Sequence, residues 1–218
     1  MTETLSEFDS KRLLAEAGIP IPAERLVFTP QEAVLAAEDL CYPVALKLCG
    51  AGIAHKTERG LVRLDLTDED DVRLQAEDLL ARRGARESGA GVLVSSMIQG
   101  RRELIAGLVR DPQFGPCVML GLGGVFAEAL GDVAFAVAPL GPRDAEDLID
   151  ALAYARVLGR FRGEPEVDRA TLGRILETLG QIGVERPEIR SIDVNPLILA
   201  GSHPVVADAL VELEADRS

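Results

Sequence analysis

A chain of 218 residues with 47% hydrophobic and 27% charged side chains can bury a real core, as one large domain or as two small lobes. Its net charge of −13 argues against a general binder of nucleic acid or of anionic membrane, both of which need a basic face. It leaves room for a nucleotide, because a few local cations or a bound metal can reverse the field inside a cleft. The three cysteines, Cys41, Cys49 and Cys117, show no CxxC spacing, which fits a reducing cytoplasm better than a disulfide framework or a zinc site. The N-terminus, MTETLSEFDS, lacks the basic-then-apolar order of a signal peptide, and no apolar run approaches the roughly 18 residues that span a bilayer. Tryptophan is absent and aromatics are 4%, so a base-stacking platform is not expected.

In chain order, residues 7–17, EFDSKRLLAEA, read as a helix closed by Gly18, and IPIPAERLVF as a turn and a short strand. Thr29 followed by Pro30 is an N-cap with proline at the first helical position, opening a helix through QEAVLAAEDL. YPVALKL is a buried strand and VRLDL, 62–66, an alternating one. The amphipathic segment 68–83 carries acids at its start and arginines at its end, the order a helix dipole favours. VLVSSM is a strand; RELIAGLVRD is strand-like and ends at Asp111-Pro112; CVMLGLGG runs as a strand into glycines. VFAEAL follows as a short helix, AFAVAPL as a strand, then helices over 142–153 and 167–183. RSIDVNPLILA and HPVVADAL close the chain as two strands with a turn at Gly201-Ser202. This irregular alternation, with hairpin-like neighbours, predicts a mixed α/β or α+β fold rather than a pure parallel sheet.

Single residues leave alternatives open. Lys47 in an apolar strand either snorkels to solvent or meets an anion such as a phosphate. His55, in AHKTERG after Gly50 and Gly52, is either a plain loop histidine or a neutral nucleophile that accepts a phosphoryl group. His203 reads as a plain turn residue. The turn Gly121-Leu122-Gly123-Gly124 is a tight turn or an anion cradle; Phe126 at the sixth position breaks the dinucleotide fingerprint. In IDVNPL, Asp193 and Asn195 share one side of a strand, and the next strand returns Asp208. The three form either a set of oxygen ligands for Mg²⁺ or a capping network. Glu103 and Arg110 are further charges in strand-like surroundings.

Taken together and in this order, YPVALKL, HKTERGLVRL, RRELIAGLVRDPQFGPCVMLGLGGVFAEAL, FRGEP, IDVNPL and VVADA resemble the ATP-grasp β subunit of ADP-forming acyl-CoA synthetases, relatives of succinyl-CoA synthetase β. The resemblance spans nearly the whole chain. It implies an α+β ATP-grasp fold of two lobes with a nucleotide cleft between them: a smaller lobe over 21–95, and a larger one from 1–20 and 96–218. It implies that His55 carries phosphate between a partner and ATP or ADP, and that Lys47 and Glu103, with Arg110, serve the nucleotide. Gly121, Gly123 and Gly124 would face the phosphates or the partner interface. Asn195 and Asp208, with Asp193 near, would hold Mg²⁺. It implies a separate CoA-binding α partner with a second histidine, in an α2β2 heterotetramer. Two features depart from the pattern: Leu61 stands where a second glycine often follows HKTE, and Ser95-Ser96 replace the usual glutamine and glutamate of the hinge. The rival expectation is a non-catalytic nucleotide-sensing module of the same fold.

Overall fold

The structure is a computed structural model and describes residues 2–53, 56–84, 87, 89–124, 130–160 and 162–214. His55, and 125–129 of the expected VFAEAL helix, therefore lie outside the described residues. The chain divides into two compact units. The smaller holds Thr4–Asp9 and Pro22–Met97; the larger holds Met1–Glu3, Ser10–Ile21 and Ile98–Ser218. Residues 4–9 thus group with the smaller unit rather than with the rest of the N-terminal segment.

The smaller unit is a four-stranded antiparallel sheet with two helices. Its strands are β2 (Glu24–Val27), β3 (Val44–Cys49), β4 (Val62–Leu66) and β5 (Gly91–Ser96), in the order β2-β5-β3-β4. Helices α2 (Pro30–Leu40) and α3 (Glu69–Ala81) pack on each other and on the sheet. The start of α2 is the predicted one. Thr29 accepts from the Glu32 amide while the Glu32 carboxylate takes the Thr29 amide at 3.2 Å, a reciprocal capping box with Pro30 in the first turn. Asp68 caps α3 in the same way, accepting from Asp71 at 2.9 Å. The core is aliphatic: Val34, Ala37, Leu46, Leu48, Val72, Leu79, Val92 and Val94 are all buried. Every residue of β3 is buried, Lys47 among them.

The larger unit is built on a seven-stranded sheet. Strands β1 (Thr2–Thr4), β6 (Glu103–Asp111), β7 (Gly115–Leu122), β8 (Val133–Val137), β9 (Ile189–Ala200) and β11 (Ala209–Glu214) run in the order β1-β11-β9-β6-β7-β8. The seventh, β10 (His203–Val206), pairs with β9. The RDPQFG stretch is the turn of a β6–β7 hairpin, held by Asp111 Oδ1, which accepts from the Gln113 and Phe114 amides at 2.8 and 2.9 Å. Helices α4 (Pro142–Asp150) and α5 (Arg169–Glu185) pack on one face of this sheet. Close approach is needed there: a Cβ at Gly183 of α5 would meet Leu108 Cδ1 at 2.6 Å. Asp193, Gly107, Met119 and Phe135 pair across β9, β6, β7 and β8, and so lie in one row on the face away from α5. Helix α1 (Glu7–Glu16) gives its first residues to the smaller unit and the remainder to the larger. Among the described residues no helix is long and apolar enough to cross a membrane.

Candidate functional site

In the larger unit the closing strands bring the predicted oxygen donors together. The expected single strand HPVVADAL breaks at Ala207 and Asp208, between β10 and β11. Both strands nevertheless pair with β9 in one continuous antiparallel register, Val206 opposite Leu197 and Ala209 opposite Val194. Asp208 therefore stands opposite Asn195, whose amide donates to the Asp208 carbonyl at 3.1 Å. The Ala207 amide donates to the Pro196 carbonyl at 3.0 Å, and the Ala207 carbonyl accepts from the wholly buried Lys11 ammonium at 3.4 Å. Asp193 lies two residues before Asn195 on the same strand face. Its side chain keeps open surface, yet enough protein surrounds it that its carboxyl is pushed above the ordinary 3.8, by desolvation first and by the Asp208 charge second.

Two acids that repel each other beside an amide oxygen are a donor set that fits a hard divalent cation, which removes the repulsion. Among the described residues no group of three or more His, Cys, Asp or Glu could hold a metal. A site of two carboxylates and one amide suits Mg²⁺, which keeps several waters and takes few protein ligands.

Glu103 and the glycine turn are direct neighbours. The Gly123 amide donates to the Glu103 carbonyl at 2.8 Å, and a Cβ at Gly123 would stand 3.0 Å from the Glu103 carbonyl carbon. Gly124 has φ +78°, the left-handed region, and Glu103 Oε2 lies 3.8 Å from where its Cβ would be. Gly121 differs. It is inside β7, paired with Ile105, and a Cβ there would meet Ile105 Cγ1 at 2.9 Å and Val133 Cγ2 at 3.0 Å. Its lack of a side chain serves sheet packing.

Arg110 is engaged with the main chain. Its guanidinium donates to three main-chain carbonyls: Ile189 at 2.6 Å, and Gly183 and Arg186 each at 2.8 Å. It closes the C-terminal end of α5, where carbonyls lack partners within the helix.

In the smaller unit, Lys47 neither snorkels nor stands alone. Its ammonium is 2.7 Å from Glu7 Oε1, and Lys56 is 2.7 Å from Glu7 Oε2. The Glu7 side chain is 1% exposed. The Cys49 thiol, which accepts from the Phe8 amide at 3.5 Å, is pushed up chiefly by burial and adds no charge. Sequence reasoning missed Glu7, Lys56 and Lys11. A signal existed: Glu7, Lys11 and Leu14 recur at helical spacing, and a charge on the face of a buried leucine demands a partner. His203 opens β10, exposed, with Nδ1 3.6 Å from Asp168 Oδ2. It borders a cavity of about 600 Å³, lined also by Gly18, Thr171 and Arg174, that none of the predicted site residues lines.

A mixed sheet-and-helix architecture with these acids, a glycine turn and buried lysines is that of a nucleotide-binding ligase fold. The chain belongs to the ATP-grasp family: the model of the ATP-grasp domain matches residues 1–213. It is 35% identical over 208 residues to the β subunit of acetate–CoA ligase (ADP-forming) I from Pyrococcus furiosus, covering 94% of this chain and 90% of the relative. It is 38% identical, with a TM-score of 0.91 and coverage of 97% and 94%, to a chain of the dinucleotide-forming acetyl-CoA synthetase 1 of Ca. Korarchaeum cryptofilum, solved with coenzyme A, Ca-AMPCP and HgCl⁺. A second structure of that synthetase, with coenzyme A and Mg-AMPPCP, has its phosphohistidine segment pointing towards the nucleotide binding site; it is 38% identical, with a TM-score of 0.83 and coverage of 95% and 92%.

Proposed function

We propose that this chain is the nucleotide-handling β subunit of a cytoplasmic ADP-forming acyl-CoA synthetase, an acid–thiol ligase that works with a separate CoA-binding α subunit. The net reaction is acid, CoA and ATP to acyl-CoA, ADP and phosphate. The chain's own step is transfer between nucleotide and His55. The lone-pair nitrogen of the neutral imidazole bonds the γ-phosphorus, the bond from that phosphorus to the ADP oxygen breaks, and the imidazole N–H proton is released. The partner then takes the phosphoryl group, through its own histidine, toward the acid, in an α2β2 assembly.

The observation that carries this reading is the opposed pair Asn195 and Asp208, with Asp193 beside them, in a chain that matches an acetate–CoA ligase β subunit from end to end. In the proposed roles these three residues hold Mg²⁺, and the metal neutralises charge on the phosphates. Lys47 supplies a buried cation for phosphate oxygens. Glu103, with Gly123 and Gly124, offers a carboxylate and close-lying backbone on the nucleotide's side. Little else is required of the protein, because phosphoryl transfer is mostly positioning and electrostatics.

The test is transfer of label from Mg²⁺-ATP, labelled at the γ-phosphate, to the chain reconstituted with a CoA-binding partner, using an alkaline quench. Acid-labile label in the wild type and none in His55→Ala is the expected result. Label retained in that variant sinks the carrier role.

A further inference from the structure

One buried carboxylate holds two lysines from different segments, and one of those lysines is the residue after His55. Each oxygen of Glu7 has its own ammonium at 2.7 Å: Lys47, from the middle of β3, on Oε1, and Lys56 on Oε2. Glu7, Lys47 and Lys56 are 3%, 9% and 8% exposed, so the contacts are made almost without water. Burying two ammonium groups is tolerable only beside an anion. The Cys49 thiol, pushed up chiefly by burial, adds no negative charge beside them. Of these three side chains, two are cationic and one is anionic.

The main chain around Lys56 is also fixed. Its carbonyl accepts from the Leu61 amide at 2.8 Å, and the Leu61 carbonyl accepts from Leu48 of β3 at 3.0 Å. The turn 57–60 is thus tied back to the strand that carries Lys47, and Glu7 ties the Lys56 side chain to the same strand from below. Two independent anchors meet at the residue that follows His55.

From this geometry we infer that Glu7 is a positioning residue: it fixes the root of the histidine segment at Lys56 and sets its spacing from the phosphate-directed cation Lys47. The inference rests on the carrier reading of His55. Glu7 bears a negative charge and offers nothing to the nucleotide phosphates, so its loss does not remove a binding contact. It raises the local charge by one, which favours an incoming anion near Lys47. It also releases the anchor of Lys56. Nucleotide affinity and transfer rate then move in opposite directions, a split that simple loss of structure does not produce.

The experiment uses the chain reconstituted with its CoA-binding partner and compares wild type, Glu7→Gln, Glu7→Gln/Lys56→Met and His55→Ala. Three quantities are read: kcat and KM for Mg²⁺-ATP, the single-turnover rate of phosphohistidine formation, and Tm. Glu7→Gln is expected to lose at least tenfold in kcat and in labelling rate, with KM for ATP unchanged or lower. The double variant, which removes one unbalanced ammonium, is expected to regain Tm but not the labelling rate. Labelling of Glu7→Gln at the wild-type rate overturns the inference. So does a double variant that regains rate together with Tm, since Glu7 would then serve folding alone. Label retained in His55→Ala, or a wild type that never labels, marks a failure of the carrier reading itself and takes this inference with it.

Discussion

Arg110 offers a direct contest between an expectation from sequence and a structural role. The perturbation is Arg110→Met, which keeps much of the aliphatic stem and removes the guanidinium. Three donations are lost, to the carbonyls of Ile189, Gly183 and Arg186. Each is charge-assisted, but the side chain is only half-buried, so a net value of about 1 kcal/mol per bond is appropriate, about 3 kcal/mol in all. In a chain of 218 residues each kcal/mol shifts Tm by about 2–4 °C, so the expected fall is about 6–12 °C. Arg110→Lys recovers less than half of it, because an ammonium cannot span three carbonyls as a planar fork does. The assay is thermal unfolding followed by circular dichroism, beside titration calorimetry with Mg²⁺-ATP at a temperature where both proteins are folded. Affinity is expected to stay within about twofold, since no binding contact is removed. A Tm shift under about 2 °C with a nucleotide affinity weakened tenfold or more refutes the reasoning and returns Arg110 to the nucleotide site.

Two further variants test the acidic and glycine elements. Asp193 has a folded pKa above its ordinary value, so between the two values the folded state holds more protons than the unfolded. Metal-free stability therefore falls as pH rises from the ordinary carboxylate range through the raised one. Asp193→Asn is expected to flatten that fall, to raise the metal-free Tm at pH 7, and to increase the Mg²⁺ concentration needed for half-maximal turnover; a variant destabilised at pH 7 without metal contradicts the assigned repulsion. Gly123→Ala places a methyl 3.0–3.1 Å from the Glu103 main chain, which cannot swing aside as a side-chain tip can. It is expected to weaken ATP binding severalfold by displacing Glu103, measured by calorimetry, and unchanged binding counts against a role for that turn.

What could be read from the sequence depended on the distance over which each interaction acts. The cap at Thr29-Pro30 is local and was legible, as was the alternation of Asp193 and Asn195, which requires only that the segment be a strand. The return of Asp208 opposite Asn195 needed a tight turn at Gly201-Ser202 and a register that survives the break at Ala207, and the first of these is written in the sequence. The structural contacts of Arg110 were not legible because its acceptors lie 73 to 79 residues further on, and strand periodicity says nothing about where a guanidinium reaches. Lys47 was left with two readings for the same reason: its partner Glu7 is 40 residues upstream on a helix. Gly121 looked like part of a ligand turn because it shares a motif with Gly123 and Gly124, while its actual constraint comes from the neighbouring strands β6 and β8.

The net charge of −13 set the question of how so acidic a chain handles a polyanion, and the two units answer it with opposite local charge. The smaller unit buries two lysines on a single carboxylate, where salt screens them far less than a surface lysine. The larger unit does the reverse: Asp193 is held above its ordinary carboxylate range by desolvation first and by the Asp208 charge second, both of which a cation would relieve. In the roles proposed above, the lysines offer charge to phosphate oxygens and the acids would hold a divalent ion. Neither half of that arrangement depends on the bulk charge of the protein surface. An acidic exterior is therefore compatible with phosphate chemistry inside, and it also keeps nucleic acid, the competing polyanion in any cell, from binding at large.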